Sequence, residues 1–239
     1  MLFFFLRHGD PIYDPDSLTP LGRRQAEALA RRLALYGIDE IYCSSSPRAQ
    51  QTAQPTCELL GKDMTVLDWC NEMYAWRYFS VPFNGRDKGR WGFQHRDYIR
   101  RFREPETAAL GKKWYTRDVF AGTDFQAGVE HYQKETDALM KTLGYEHDAA
   151  RNGYVARPGN DKRVALFAHQ GFGMTFLSCL LDIPYPTFAT TFDMGHTGMT
   201  VIEFPDDPEL VIPVVLQLAN DSHLYRDGLP TNYQNRLYF

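Results

Sequence analysis

Three short apolar runs are continuous rather than alternating, which is the pattern of strands buried on both faces. They lie at residues 2–6, around Ile41-Tyr42, and at 164–168. Each is followed by a helical pattern. After Thr19-Pro20, an N-cap and first-turn pair, Ala26, Leu29, Ala30 and Leu33 recur at i, i+3, i+4 and i+7, and Gly37 ends the helix. Ser46-Pro47 opens a second helix that reaches Leu60 and stops at Gly61, with Pro55 inside it predicting a kink. Beyond His169, residues 172–181 are apolar on nearly every side, which predicts a buried helix. This alternation predicts an α/β fold whose mostly parallel sheet carries helices on both faces. A further strand is expected at 65–67. Late strands are expected at 199–204 and 211–218, split by the turn-like Pro205-Asp206-Asp207-Pro208.

The stretch 73–162 breaks this rhythm. It is rich first in aromatics (Trp76, Tyr78, Phe79, Phe83, Trp91, Phe93). Basic residues overlap them: Arg86, Lys88, Arg90, Arg96, Arg100, Arg101 and Arg103 are opposed there by Asp87 and Asp97. A helix at 125–143 and an Asn152-Gly153 turn follow. With no repeat, linker or low-complexity segment, the stretch reads as an insertion packed over the sheet's edge within a single domain spanning 1–239. Lying just after Glu72, it is expected to fold over the strand ends as a specificity cap, with Arg86 and Arg90 acting on anionic substrates.

Composition narrows the classes further. Hydrophobic residues at 44% and charged residues at 23% are ordinary for a globular chain and exclude disorder. The opening run of six apolar residues ends at Arg7, far short of the ~20 of a membrane span, and lacks the basic lead of a secretory signal. Twenty-six basic against thirty acidic side chains give a net charge of −4, which offers no general pull toward nucleic acid or membrane. Cys43, Cys57, Cys70 and Cys179 have no metal or redox spacing and are expected as reduced thiols in a cytoplasmic protein.

The candidate chemistry collects at predicted strand ends, where ligands of doubly wound sheets bind. The first strand ends in Leu6-Arg7-His8-Gly9-Asp10 and places a cation beside an imidazole. The second ends in Ser44-Ser45-Ser46-Pro47-Arg48, a helix start that suits an anion, where Arg48 opposes the helix dipole and so implies an anionic partner. A third ends in His169-Gln170-Gly171. Any one of these has an ordinary structural explanation; three such ends together are hard to obtain by chance and point to an anion site. Two guanidinium forks plus a charged His169 would suit a phosphoryl dianion, and a neutral imidazole is nucleophilic near neutral pH. No motif supplies a metal site, so neither metal nor cofactor is expected. His196 is a candidate for the pocket wall, while His223 is expected to be structural.

These residues resemble the histidine phosphatase superfamily, the phosphoglycerate mutase-like phosphatases of branch 1. The likeness is carried by Leu6-Arg7-His8-Gly9, Leu18-Thr19-Pro20-Leu21-Gly22 with Gln25-Ala26, Ser45-Ser46-Pro47-Arg48 with Gln51-Thr52-Ala53, Asn71-Glu72-Met73, and Ala168-His169. The resemblance implies a three-layer sandwich, a phosphohistidine on His8, phosphoryl binding by Arg7, Arg48 and His169 with Gln170 beside them, and Glu72 as proton donor. Catalysis would be assigned to His8, Glu72 and His169. Asp10 and Gln170 depart from the common pattern, and residues 9–18 lack an asparagine often found in mutase-like members. The expected function is therefore metal-independent hydrolysis of a small phosphorylated metabolite. The alternatives are a phosphoglycerate mutase-type phosphotransferase and a non-catalytic phospho-ligand binder. A dinucleotide-binding reading of Gly171-Phe172-Gly173 fails because Phe176 stands where a third glycine is needed. For Glu72, the neighbouring Trp69, Tyr74 and Trp76 predict a pKa raised by desolvation. Neither the particular substrate nor the oligomeric state can be read from the sequence.

Overall fold

A computed structural model describes residues 1–231. The first apolar run forms β1 (Leu2–Arg7), and a short hairpin, β2 (Pro11–Tyr13) and β3 (Asp16–Leu18), leads to α1 (Pro20–Tyr36). Thr19 caps α1 by accepting the Gly22 amide, and Gly37 ends it in the left-handed region. Next come β4 (Glu40–Ser44), α2 (Pro47–Leu60) and β5 (Met64–Leu67), and α2 passes through Pro55 as one helix. The intervening stretch holds α3 (Glu72–Phe79), β6 (Ser80–Phe83), β7 (Arg86–Trp91), α4 (Arg96–Phe102), α5 (Pro105–Ala109), α6 (Phe125–Thr142), β8 (Tyr145–Asp148) and β9 (Gly153–Ala156). The chain returns through β10 (Arg163–Ala168), α7 (Gln170–Leu180), α8 (Tyr185–Ala189), β11 (Met199–Glu203), β12 (Val214–Asn220) and α9 (Ser222–Arg226).

Six strands form the central sheet in the order β12-β11-β1-β10-β4-β5. β1, β10, β4 and β5 run parallel, while β11 and β12 add an antiparallel edge. β12 starts three residues later than the sequence predicts. Val211 pairs instead with Tyr154, their amides and carbonyls exchanged at 2.8 and 2.9 Å, and Pro213 has no amide hydrogen to give a ladder.

Alternation along β1 splits its apolar run between two cores. Phe4 and Leu6 face α1 and α2 with Leu29, Leu33, Ala49, Ala53 and Phe167. Phe3 and Phe5 face α7, where Phe5 lies near the rings of Phe172 and Phe176 at 6.2 and 5.9 Å between centroids. Gly173 makes that approach possible, since a Cβ there would meet the Phe5 ring. The result is an α/β three-layer sandwich.

The insertion differs from expectation. Rather than covering the sheet's edge, it covers the outer side of α7, with α3 and α6 packed against that helix. Phe79, Trp114, Phe125 and Tyr132 thereby join Phe3, Phe5, Phe172 and Phe176 in one core. All eleven residues of α7 are buried, so its outward side needs an apolar cover as much as its inward one. The four cysteines are free and buried. Among the described residues, no helix is long and apolar enough to cross a membrane.

Candidate active site

Parallel β1, β4 and β10 bring their carboxyl ends to one rim, which places Arg7, His8, Arg48 and His169 together. The His8 amide donates to the Ala168 carbonyl at 2.9 Å, so the two histidine-bearing loops are joined through the sheet. Both helices of the other face hold the loop behind His8. Gln25 of α1 accepts the Asp10 amide, Gln51 of α2 accepts the Leu18 amide, and Thr52 of α2 accepts the Gly9 amide at 3.0 Å. Thr52 in turn donates to the Arg48 carbonyl. A Cβ at residue 9 would lie 2.7 Å from the Gly22 carbonyl oxygen, so a glycine is required for this close approach.

Hydrogen bonds fix the ring protons. His8 Nδ1 lies 2.7 Å from the Gly9 carbonyl, which can only accept, so Nδ1 carries the proton and Nε2 keeps its lone pair. Burial, followed by neighbouring His169, Arg7 and Arg48, holds His8 well below the usual histidine pKa. His169 Nδ1 faces the Arg48 guanidinium at 3.1 Å and therefore accepts; its Nε2 donates to Ser44 Oγ at 2.8 Å. Burial and then Arg48 and Arg7 keep this ring neutral, which corrects the expectation of a charged His169 in the resting site.

The arginines are braced from behind. Arg7 donates to the Met194 carbonyl at 2.6 Å and to His196 Nε2 at 3.1 Å. Arg48 pairs with Asp16 at 2.9 Å, the anionic partner that its position in the first helical turn implies. The Nε donors of both arginines are buried without a hydrogen-bond partner among the described residues. Glu72 is the first residue of α3, capped by Asn71, and its Oε1 accepts the Phe172 amide at 3.2 Å. Its side chain is 18% exposed, and burial pushes its pKa up to about 7 against the opposing pull of Arg48 and Arg7. A Cβ on Gly171 would collide with both Glu72 Oε1 and the Trp91 ring, so a bare glycine keeps the acid and the indole in place.

One ligand-type atom each from His8, Glu72 and His169 falls within 4.8 Å of the others, a spacing that a cation could use. The adjacent guanidinium groups disfavour a cation there and favour an anion.

Arg7, His8, Arg48 and Glu72 line a cavity of about 660 Å³ together with Tyr13, Asp16, Pro47, Asn71, Met73, Trp76, Trp91 and Gln170, and His169 is buried behind it. Gln170 is on its wall, but its amide nitrogen is committed to Asp193. His196 stands behind Arg7 and beside His8 at 5.7 Å between rings, with burial holding its pKa down to about 3. His223 lies elsewhere, on the buried side of α9, where it bonds Thr197 at 3.0 Å. Arg86 and Arg90 do not line the cavity; Arg90 lies over the Phe83 ring at 4.3 Å. Sequence reasoning missed Tyr13 and Asp16, which residues 9–18 deliver by folding into the β2–β3 hairpin. The Asp14-Pro15 pair between two short runs was the available turn signal.

Residues 3–112 match the model of the histidine phosphatase superfamily (branch 1). The fold is similar to phosphoserine phosphatase from Entamoeba histolytica solved with 3-phosphoglyceric acid, 20% identical over 93% of this chain and 98% of that one, TM-score 0.58. It is also similar to mycobacterial glucosyl-3-phosphoglycerate phosphatase, 21% identical over 90% and 97%, TM-score 0.54. A putative alpha-ribazole-5'-P phosphatase from Escherichia coli is 17% identical over 92% and 98%, TM-score 0.59. Among curated proteins, PE-PGRS family protein PE_PGRS11 of Mycobacterium tuberculosis is 37% identical over 89 residues, 33% of this chain. The chain spans 15% of the length of that relative. The matched residues 3–112 include Arg7, His8, Arg48 and Glu72, so the likeness to the histidine phosphatase superfamily covers these motifs at the rim of the sheet, while His169 lies beyond it.

Proposed function

We propose that the chain hydrolyses a small phosphorylated metabolite through a phosphohistidine on His8, without a metal ion. The observation that carries this reading is the Nδ1 bond of His8 to the Gly9 carbonyl, which leaves Nε2 unprotonated in a site lined by two guanidinium groups. Nucleophile and electrostatic cradle then coincide, which is what displacement at a charged phosphorus centre needs. His8 Nε2 attacks phosphorus, the ester P–O bond breaks, and the Glu72 carboxyl passes its proton to the departing alkoxide. Water next attacks the phosphohistidine, Glu72 takes up a water proton, the P–N bond breaks and phosphate leaves. Arg7 and Arg48 hold the equatorial oxygens, with His169 as a further ligand. His169 Nδ1 accepts a proton as the dianion arrives, because bound negative charge favours the imidazolium.

The neighbours' phosphorylated substrates support a small-molecule ligand, and no nucleic acid or membrane partner is required. In this reading the described residues work as one domain, with 73–162 forming the cap over the acid, and the last eight of residues 1–239 lie outside the described ones. Rapid-quench labelling with a ³²P-phosphomonoester tests the chemistry. An adduct labile to acid and stable to base is expected on His8, lost in His8→Ala and formed equally in EDTA. Label on Ser44, Ser45 or Ser46 would reassign the nucleophile, and restoration of an EDTA-inactivated enzyme by a divalent ion would end the metal-free reading. Isomerisation of 3-phosphoglycerate faster than phosphate release would assign a mutase-type phosphotransferase instead.

A further inference from the structure

The cavity is far larger than one phosphoryl group needs and lies within the usual range of small-molecule sites. Its cations among the described lining residues are Arg7 and Arg48, both in the phosphoryl cradle. Besides Pro47 and Gln170, the wall that remains for the rest of a substrate is Tyr13, Asp16, Asn71, Met73, Trp76 and Trp91. It holds one carboxylate, already paired with Arg48, and no ammonium or guanidinium group. Trp76 and Trp91 meet edge to face at 4.9 Å, and Trp91 adjoins Glu72 across Gly171. The alcohol that Glu72 protonates therefore leaves beside two indoles. Met73 is 74% exposed and Tyr13 69% exposed, so apolar surface extends to the mouth.

Resting on the reading of this site as a phosphomonoester hydrolase, we infer that its substrate is the phosphate ester of an uncharged, ring-bearing alcohol. The ring packs against Trp76 and Trp91, and the substrate carries no second anionic group. A carboxylate or second phosphate on the leaving group would lose water against indoles with no cation to replace it, and would face Asp16. A ring in the same place buries apolar area and gains aromatic contacts. Acidic selectivity through Arg86 and Arg90 is excluded by where those residues lie.

Three alkyl esters of similar leaving ability separate the terms: benzyl phosphate, glycerol 3-phosphate and 3-phosphoglycerate. The expected order of kcat/KM is benzyl, glycerol, phosphoglycerate, with the first exceeding the last by about 10²-fold. Trp76→Ala should shrink the benzyl-to-glycerol ratio about tenfold. Met73→Lys should shrink the benzyl-to-phosphoglycerate ratio. A kcat/KM for 3-phosphoglycerate equal to or above that for benzyl phosphate overturns the inference, as does a benzyl-to-glycerol ratio untouched by Trp76→Ala. If even p-nitrophenyl phosphate is not turned over, the hydrolase reading fails on its own. Calorimetric Kd values then still decide the substrate class: tighter benzyl phosphate supports it, while tighter 3-phosphoglycerate, or binding of neither, overturns it.

Discussion

Glu72 owes its chemistry to the side chains around it. Burial raises its pKa to about 7, and Arg48 and Arg7 stop the rise from going further. A carboxyl poised there is protonated in useful amount near neutral pH and can both give and recover a proton. Glu72→Gln should slow alkyl phosphates by about 10²–10⁴-fold and nitrophenyl phosphate much less, because nitrophenolate leaves unaided. The acid works only while protonated, so the wild-type rate on alkyl esters should fall as pH rises through about 7, and this limb should vanish in the variant. Equal losses on both ester types would make Glu72 a positioning residue. The sequence pointed to this residue and to desolvation, but only partly to its source. Trp76 lines the cavity, whereas Trp69 packs into the core on Phe172 and the Tyr74 hydroxyl bonds Asp68. Which aromatics desolvate an acid depends on where a helix points them, and adjacency in sequence does not say.

At the scale of elements, a buried polar knot ties the insertion to the sheet's end. His147 of β8 reaches Asp137 of α6 at 3.1 Å through Nδ1 and Asp182, beyond α7, at 3.1 Å through Nε2; Lys112 also pairs with Asp182. The His147 side chain is 5% exposed, and its bonds to Asp137 and then Asp182 raise its pKa to about 9. A histidine with a raised folded-state pKa stabilises fully below its unfolded value near 6.5. That stability is lost as pH rises through about 9. Thermal melts should thus show Tm declining between pH 6.5 and 9, with the decline flattened in His147→Gln. Truncation to His147→Ala leaves Asp137 without this partner and Asp182 with Lys112 alone, and because Asp137 is 37% exposed the loss should be about 1–2 kcal/mol at neutral pH. A flat wild-type profile, or a variant as stable as the parent, would show that the knot contributes nothing. Nothing in the spacing of positions 112, 137, 147 and 182 announces it, since no two share a helical face.

Across the whole molecule, the two sides of the sheet are built differently. One is closed by α1 and α2, with the short α9 against the outside of α1; the other needs two full layers, α7 and then α3 with α6. The insertion is therefore part of the larger core as well as the wall of the cavity. Removing residues 73–162 would strip Tyr132 from Phe172 and bare the apolar outer side of α7. Such a chain is expected to lose its cooperative unfolding transition and to bind hydrophobic dyes, rather than persist as an uncapped enzyme. Retention of a sharp melt with native circular dichroism would make the stretch a separable module.

The sequence alone determined what local physics can write into a short segment. Continuous apolar runs announced strands buried on both faces, Thr19 and Gly37 bounded α1, and Arg7-His8, Arg48 and His169 marked the strand ends where charge collects. Tertiary structure decided what depends on residues distant in the chain. The protonation of His8 and His169 follows from a carbonyl and a guanidinium set opposite their rings, which neutralised the histidine expected to be charged. Folding of 9–18 into a hairpin put Asp16 on Arg48, Pro213 and the Tyr154 bridge delayed β12, and the insertion went to α7 rather than the sheet's edge. Each outcome turns on long-range contact and burial, which a pattern of periods two and 3.6 does not encode.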